Sequence, residues 1–210
     1  LGIPAGPEPL HVRLGALWSL DPAGTDLVRR ILVLLADHEL NPSTFAARVA
    51  ASTGASIAAS LLAGLGALSG PRHGGAGAAV AELAESVRRH GAEEAVARWL
   101  ERGLRLPGFG HQLYPNGDPR AKALLEHLRD REMMADLRQA AFDATGAMPN
   151  IDFALFALAL ENDMPGDAAF RLFALGRSVG WAAHAMEQAA SGEVIRPRAT
   201  YIGKQPELDA

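Results

Sequence analysis

Two glycine-framed loops each carry one histidine: SGPRHGGAG over 69–77 holds His73, and LPGFGHQLYPNGD over 106–118 holds His111. Such glycines let a backbone or a ligand come close to the imidazole. Loops set on rigid elements also carry function out of proportion to their length. Either histidine alone reads equally well as an exposed loop residue, but two loops of one build shift the reading towards a site. Asp152 stands directly before the apolar run 153–160. An aspartate in a first helical turn is ordinarily a helix starter. The apolar flank would raise its pKa by desolvation and make it a usable base, while the helix N-terminus pulls the other way.

Arg177 falls at helical spacing with Phe170, Phe173 and Trp181, on a face otherwise apolar. A buried guanidinium needs a partner. That partner is a structural carboxylate, solvent reached by snorkelling, or a bound anion. Arg120 sits in the first turn of its helix, where the dipole disfavours a cation; a bound anion would offset the placement, and an accident of surface charge is the plainer reading. His38 ends its helix in ADHELNPS, a place that suits a histidine for electrostatic reasons alone. His11, His90, His127 and His184 read as surface or filler. No HExxH, P-loop or dinucleotide fingerprint occurs, and no pair of histidines has metal-ligand spacing, so no metal is expected.

Helices must position these groups. Asp21-Pro22, Asn41-Pro42 and Asp118-Pro119 are each a cap followed by proline at the first helical position. They predict helices over 22–38, 42–52 and 119–129. Further helical patterns cover 55–68, 78–90, 92–102, 132–144, 150–160 and 165–190. The small residues of 55–68 imply that another backbone approaches closely. The segment before Leu20 has no clear assignment, and the tail from Gly192 reads as irregular with one extended stretch around Ile195. No alternation supports a sheet. The expectation is an all-α fold.

Composition narrows the function classes. At 210 residues the chain can build one core, or one core and a small lobe. A net charge of −4 gives no basic field for nucleic acid or an anionic membrane, so any bound anion must be held by locally placed arginines. The absence of cysteine removes disulfides, thiolate nucleophiles and cysteine-ligated metals. No apolar run reaches membrane-spanning length, and no leader is visible at the start. Opening on Leu1 rather than Met suggests that an upstream piece is missing.

Taken in order, ADHELNPSTFAAR, LSGPRHGG, PGFGHQLYPNGDPRA, PNID, FALGRSVGW and IRPRATYIG resemble the citrate synthase family. The resemblance runs from about Asp37 to Gly203. It implies a large helical domain from 1–73 and 164–210, lacking its N-terminal helices, with a small CoA-facing domain over 74–163. It further implies a cytoplasmic homodimer of the tricarboxylic acid cycle that condenses acetyl-CoA with oxaloacetate and water. A coenzyme A thioester would be a co-substrate, with no tightly bound cofactor.

By the same resemblance, His73 would hydrogen-bond the thioester oxygen and Asp152 would remove the acyl proton. His111 would polarise the ketone of the oxo acid. His38, Arg120 and Arg177 match oxaloacetate-binding positions, and Arg196 matches the arginine that reaches a neighbouring subunit's site. Gly108, Phe109 and Gly110 would lie on the CoA side. Small-residue helices would permit a lobe closure that expels water. Two departures stand out. The family carries a basic residue after GFGH, where this chain has Gln112-Leu113-Tyr114-Pro115, which leaves Arg72 and Arg105 as candidate partners of the CoA phosphates. Gly77 stands where asparagine is common. The resemblance equally covers 2-methylcitrate synthase, a citryl-CoA lyase-like enzyme, and a non-catalytic oxo-acid-binding or regulatory homologue.

Overall fold

The first amides of a helix need acceptors, and the capping side chains supply them. In the computed structural model, which describes residues 3, 5–74, 76–129 and 132–203, Asp21 accepts from the Gly24 amide at 2.7 Å and starts α2 (Pro22–Leu35). Asn41 accepts from Thr44 and starts α3 (Pro42–Ser52). Ser56 caps α4 (Ile57–Leu68), so this helix begins two residues later than its alanine-rich pattern suggested. Asp118 caps α7 (Pro119–Leu125), and Asn150 caps α9 (Ile151–Glu161) through both the Asp152 and Phe153 amides.

The other helices are α1 (Leu10–Leu17), α5 (Ala76–His90), α6 (Ala92–Glu101), α8 (Glu132–Thr145) and α10 (Ala168–Ser191). Several differ from the sequence reading. The unassigned N-terminal stretch contains α1, whose start at Pro9 has no side-chain cap to signal it. Helix α5 begins at Ala76, inside the expected loop, because a first turn tolerates Gly77 where a helix interior would not. Helix α7 stops at Leu125 rather than near Arg129. Pro165 belongs to the turn before α10, not to the helix. No strand forms around Ile195; among the described residues the one β-contact is an isolated antiparallel bridge between Phe109 and Pro149. An extended segment without a pairing partner gains no ladder.

Two apolar cores share α9. One is built from α1, α2, α7 and α10, with Leu14, Val28, Ile31, Leu35, Leu124, Leu172 and Trp181 at its centre. The other gathers Leu83, Val96, Trp99, Phe109, Leu137 and Ala141 from α5, α6, α8 and the 106–109 loop. Between Phe153 and Leu160 helix α9 is apolar on all sides, and it gives Leu155 and Leu158 to the first core, Phe153 and Ala157 to the second. A helix of that kind must be buried all round.

At Gly64 of α4 the close neighbour is a side chain rather than the backbone expected: an added Cβ would fall 2.8 Å from the Trp181 ring. A tighter approach lies one residue away on α10. At Gly180 of α10, a Cβ would sit 2.1 Å from the Ala36 carbonyl oxygen, a backbone atom that cannot swing away. Gly180→Ala is therefore expected to cost about 1–3 kcal/mol, read from chemical denaturation. Unchanged stability would show that the α2 end is free to move.

Candidate active site

Three short bonds bring the glycine-rich 106–118 loop to the start of α9. Gly110 donates to the Met148 carbonyl at 2.8 Å, and Asn150 returns a backbone donor to Gly108 at 2.8 Å. The Asn150 amide group also reaches the Gly110 carbonyl at 3.0 Å. Gly108 takes φ +82°, and a Cβ there would press on Phe153 at 3.1 Å. Phe109 is buried against Phe153, ring centroids 5.0 Å apart, so its side chain belongs to the core. Gly110 is exposed. These contacts place His111 close to the helix end that carries Asp152.

Asp118 ties the same region together. Its buried carboxylate takes two side-chain donors and the backbone amide of Arg120, and also the Ile151 amide at 3.1 Å, so it caps both α7 and α9. Burial pushes Asp118 up, but the bonds and charge of Arg120 outweigh it and hold the carboxyl below its ordinary range. Arg120 is thus a buried, paired cation, not a surface accident. The sequence showed Asp118 only as a cap.

His38, His111 and Tyr114 meet as a cluster of rings. The His38 and His111 centroids are 5.3 Å apart, edge to face, and His111 and Tyr114 are 4.9 Å apart. The Tyr114 hydroxyl lies 3.1 Å from His38 Nε2, and Arg120 stands 5.6 Å over the tyrosine ring. Burial, reinforced by the charges of Arg120 and Arg177, pushes His38 down to about 4, so it is neutral at physiological pH. Burial and Arg120 lower His111 as well. The Leu113 amide donates to His111 Nδ1 at 3.2 Å. A neutral imidazole that accepts at Nδ1 carries its proton on Nε2. His111 therefore presents a donor.

Asp152 resolves the contest that sequence left open. Burial pushes its carboxyl up to about 6; the Arg120 charge opposes the rise and Asp118 adds to it. Desolvation is the largest of these causes.

Arg177, 1% exposed, donates from Nε to the Leu35 carbonyl at 2.8 Å and lies 5.3 Å from the Phe173 ring. Among the described residues its Nη2 is buried without a partner. Burial and Arg120 lower it to about 10, so it stays charged. None of the structural partners that the sequence allowed for takes up that Nη2.

His73 is half-buried, not a free surface residue, and its Nε2 lies 2.8 Å from Ser43 Oγ. That hydroxyl also meets Asn41 Oδ1 at 2.7 Å and the Trp181 indole N–H at 3.2 Å. Trp181 can only donate and Asn41 Oδ1 can only accept, so the single Ser43 proton is shared in turn between Asn41 and His73. The tautomer of His73 follows that choice. Burial and Arg177 lower its pKa. Neighbouring Gly75 lies outside the described residues.

The structure thus gathers His38, His111, Tyr114, Arg120, Asp118 and Asp152 in one electrostatic field, and Arg177 acts on both His38 and His73. Arg196 is not among them; it lies exposed on the tail beyond α10, as do Arg72 and Arg105 on their loops. Among the described residues no group of histidines and carboxylates suits a metal, and no helix is long and apolar enough to cross a membrane.

The family model described as citrate synthase, C-terminal domain, matches residues 9–198. The chain belongs to the citrate synthase family. A citrate synthase of Mycolicibacterium smegmatis is 37% identical over 221 residues, covering 94% of this chain and 58% of the relative. Citryl-CoA lyase from Hydrogenobacter thermophilus superposes with a TM-score of 0.83 at 25% identity, over 97% of this chain and 87% of that one. A ternary complex of carboxymethyl coenzyme A and oxaloacetate with citrate synthase from the archaeon Thermoplasma acidophilum gives 0.80 at 29% identity, over 99% and 60%. The chain spans about half the length of the curated citrate synthases it matches. The helical fold is that of the family.

Ser43, Tyr114 and Asp118 are the site groups that the sequence reading missed. Tyr114 sits in the loop singled out for His111, so its place was visible but its role was not.

Proposed function

We propose that this family member is the catalytic portion of a citrate synthase-type acyltransferase, joining acetyl-CoA, oxaloacetate and water to give citrate and CoA. The observation that carries the reading is the buried Asp118 carboxylate, which ties Arg120 to the start of α9 and so joins the loop of His111 to the helix end that carries Asp152, a carboxyl that burial pushes up to about 6.

The Asp152 carboxylate takes a proton from the acyl methyl group, and the electron pair moves onto the thioester oxygen. His73 Nδ1 donates to that oxygen, which requires the Ser43 proton to turn from Asn41 towards His73 Nε2. The enol carbon attacks the ketone carbon, forming the C–C bond. The new alkoxide takes its proton from His111 Nε2. Water then cleaves the C–S bond and frees the CoA thiol. Positioned proton transfer contributes about 10²–10⁴-fold, and an oriented oxyanion donor about 10²–10³-fold. The oxo-acid carboxylates are held by Arg177, whose Nη2 needs an acceptor, with Arg120 and His38 beside it.

The second core lies wholly within 74–163, which supports reading that stretch as the small CoA-facing domain, with the exposed Gly110, next to His111, on the thioester side. Arg196 serves the site of a second copy in a homodimer.

The likeness to a citryl-CoA lyase favours one further reading, in which the same groups run the carbon–carbon step backwards and cleave citryl-CoA to acetyl-CoA and an oxo acid. Thiol release separates the two. Acetyl-CoA with oxaloacetate is expected to release CoA, and propionyl-CoA in place of acetyl-CoA reports acyl preference. Cleavage of citryl-CoA to acetyl-CoA, with no thiol released from acetyl-CoA and oxaloacetate, would favour the lyase. Neither reaction, with oxaloacetate still bound, would leave a binder.

A further inference from the structure

We infer that His184 is a positioning residue for the oxo-acid side of the site: through Asp37 it fixes the short turn that carries His38. The inference rests on the role given to His38 above. Helix α10 meets the end of α2 at three successive heights on one face, as residues 177, 180 and 184 must at 3.6 residues per turn. Arg177 Nε bonds the Leu35 carbonyl at 2.8 Å. Gly180 lets its bare backbone lie against the Ala36 carbonyl. His184 Nε2 reaches Asp37 Oδ1 at 3.2 Å. Asp37 precedes His38 in the chain, so the last of these contacts is the one closest in sequence to the imidazole.

The direction of that bond is fixed from α3. Arg48 Nη1 lies 3.1 Å from His184 Nδ1, and the same guanidinium bonds Glu187 and, through Nε, Gln188. A guanidinium only donates. His184 Nδ1 must therefore accept, its proton must sit on Nε2, and that proton points at Asp37. The opposite tautomer would set one donor against another and leave the Asp37 carboxylate without one. Arg48, with a side chain 18% exposed, selects the tautomer that holds the turn. His184 is exposed enough, at 20% of its side chain, to be replaced without opening a core. Its spacing read as filler because its partners are 136 and 147 residues away.

The test follows the two imidazoles by nitrogen-15 NMR of histidine-labelled protein, in wild type, His184→Leu and His184→Gln. Wild type should show His184 protonated at Nε2. Leucine should shift the His38 ring signals and weaken its proximity signal to His111; glutamine, which keeps a donor for Asp37, should restore both. With leucine, KM for oxaloacetate should rise about three- to ten-fold, the weight of one partly exposed hydrogen bond, while KM for acetyl-CoA and kcat stay near wild type. A His38 ring unmoved by leucine overturns the inference, whether or not the protein turns over. Shifted His38 signals in a chain with no condensing or cleaving activity support the positioning role and count against the proposed function alone.

Discussion

Asp152→Asn is expected to lower thiol release from acetyl-CoA and oxaloacetate by about 10²–10⁴-fold, with oxaloacetate binding retained. Asparagine keeps the shape of the side chain and its place in the first turn of α9, so lost activity reports lost basicity. The pH profile carries a second, independent sign. A base must be ionised to work, so kcat should rise with pH through about 6, the value to which burial pushes this carboxyl. Stability runs the other way. The folded pKa lies above the ordinary 3.8, so the folded chain binds the proton more tightly than the unfolded chain. The stabilising effect of protonation is present below 3.8 and is lost as pH rises through about 6. A carboxyl raised that far corresponds to at most about 3 kcal/mol. The asparagine side chain, neutral throughout, should remove that penalty, so the variant should denature at higher urea than wild type at pH 8 and show little difference near pH 4. A variant that is both inactive and less stable at pH 8 would point to a structural aspartate. One that releases thiol at the wild-type rate would place the base elsewhere.

How much of this was legible beforehand depended on the range of the interaction. The Asp21, Asn41 and Asp118 caps were readable because each cap and its proline act within one helical turn. Helix α1 was not, since Pro9 offers no side-chain acceptor. The turn at Pro165 gave a false start to α10 because proline suits a turn and a first helical position equally well. The glycine-framed histidines and Arg177 stood out by residue type and local pattern alone. What surrounds them did not. His38 meets Tyr114 across 76 residues, and Trp181 meets Ser43 across 138. Nor could a sequence weigh the desolvation of Asp152 against its helix end, because that balance depends on how Arg120 and Asp118 are buried beside it.

Arg177→Met should separate binding from folding more sharply than any other change. A methionine fills much of the buried volume while removing the charge, and a buried cation is costly enough that apolar replacement is often neutral or stabilising. Against that gain, the Leu35 carbonyl loses its donor at 2.8 Å, a loss of about 1–3 kcal/mol. The two nearly offset, so urea stability should stay within about 2 kcal/mol of wild type. Oxo-acid binding has no such compensation. Charged hydrogen bonds contribute roughly 1.5–3 kcal/mol each, so losing the donors of Arg177 should weaken oxaloacetate about 10²-fold or more. Calorimetry reads the affinity directly. A thermal scan reads it through mass action, since a ligand that binds only the folded state raises Tm with concentration. Lysine at the same position should recover only part of the binding, because an ammonium keeps the charge but not the planar fork. The orphaned Nη2 is what points this arginine at an anion. A methionine variant that binds oxaloacetate as tightly as wild type would mean that the dianion is held by Arg120 and its neighbours alone.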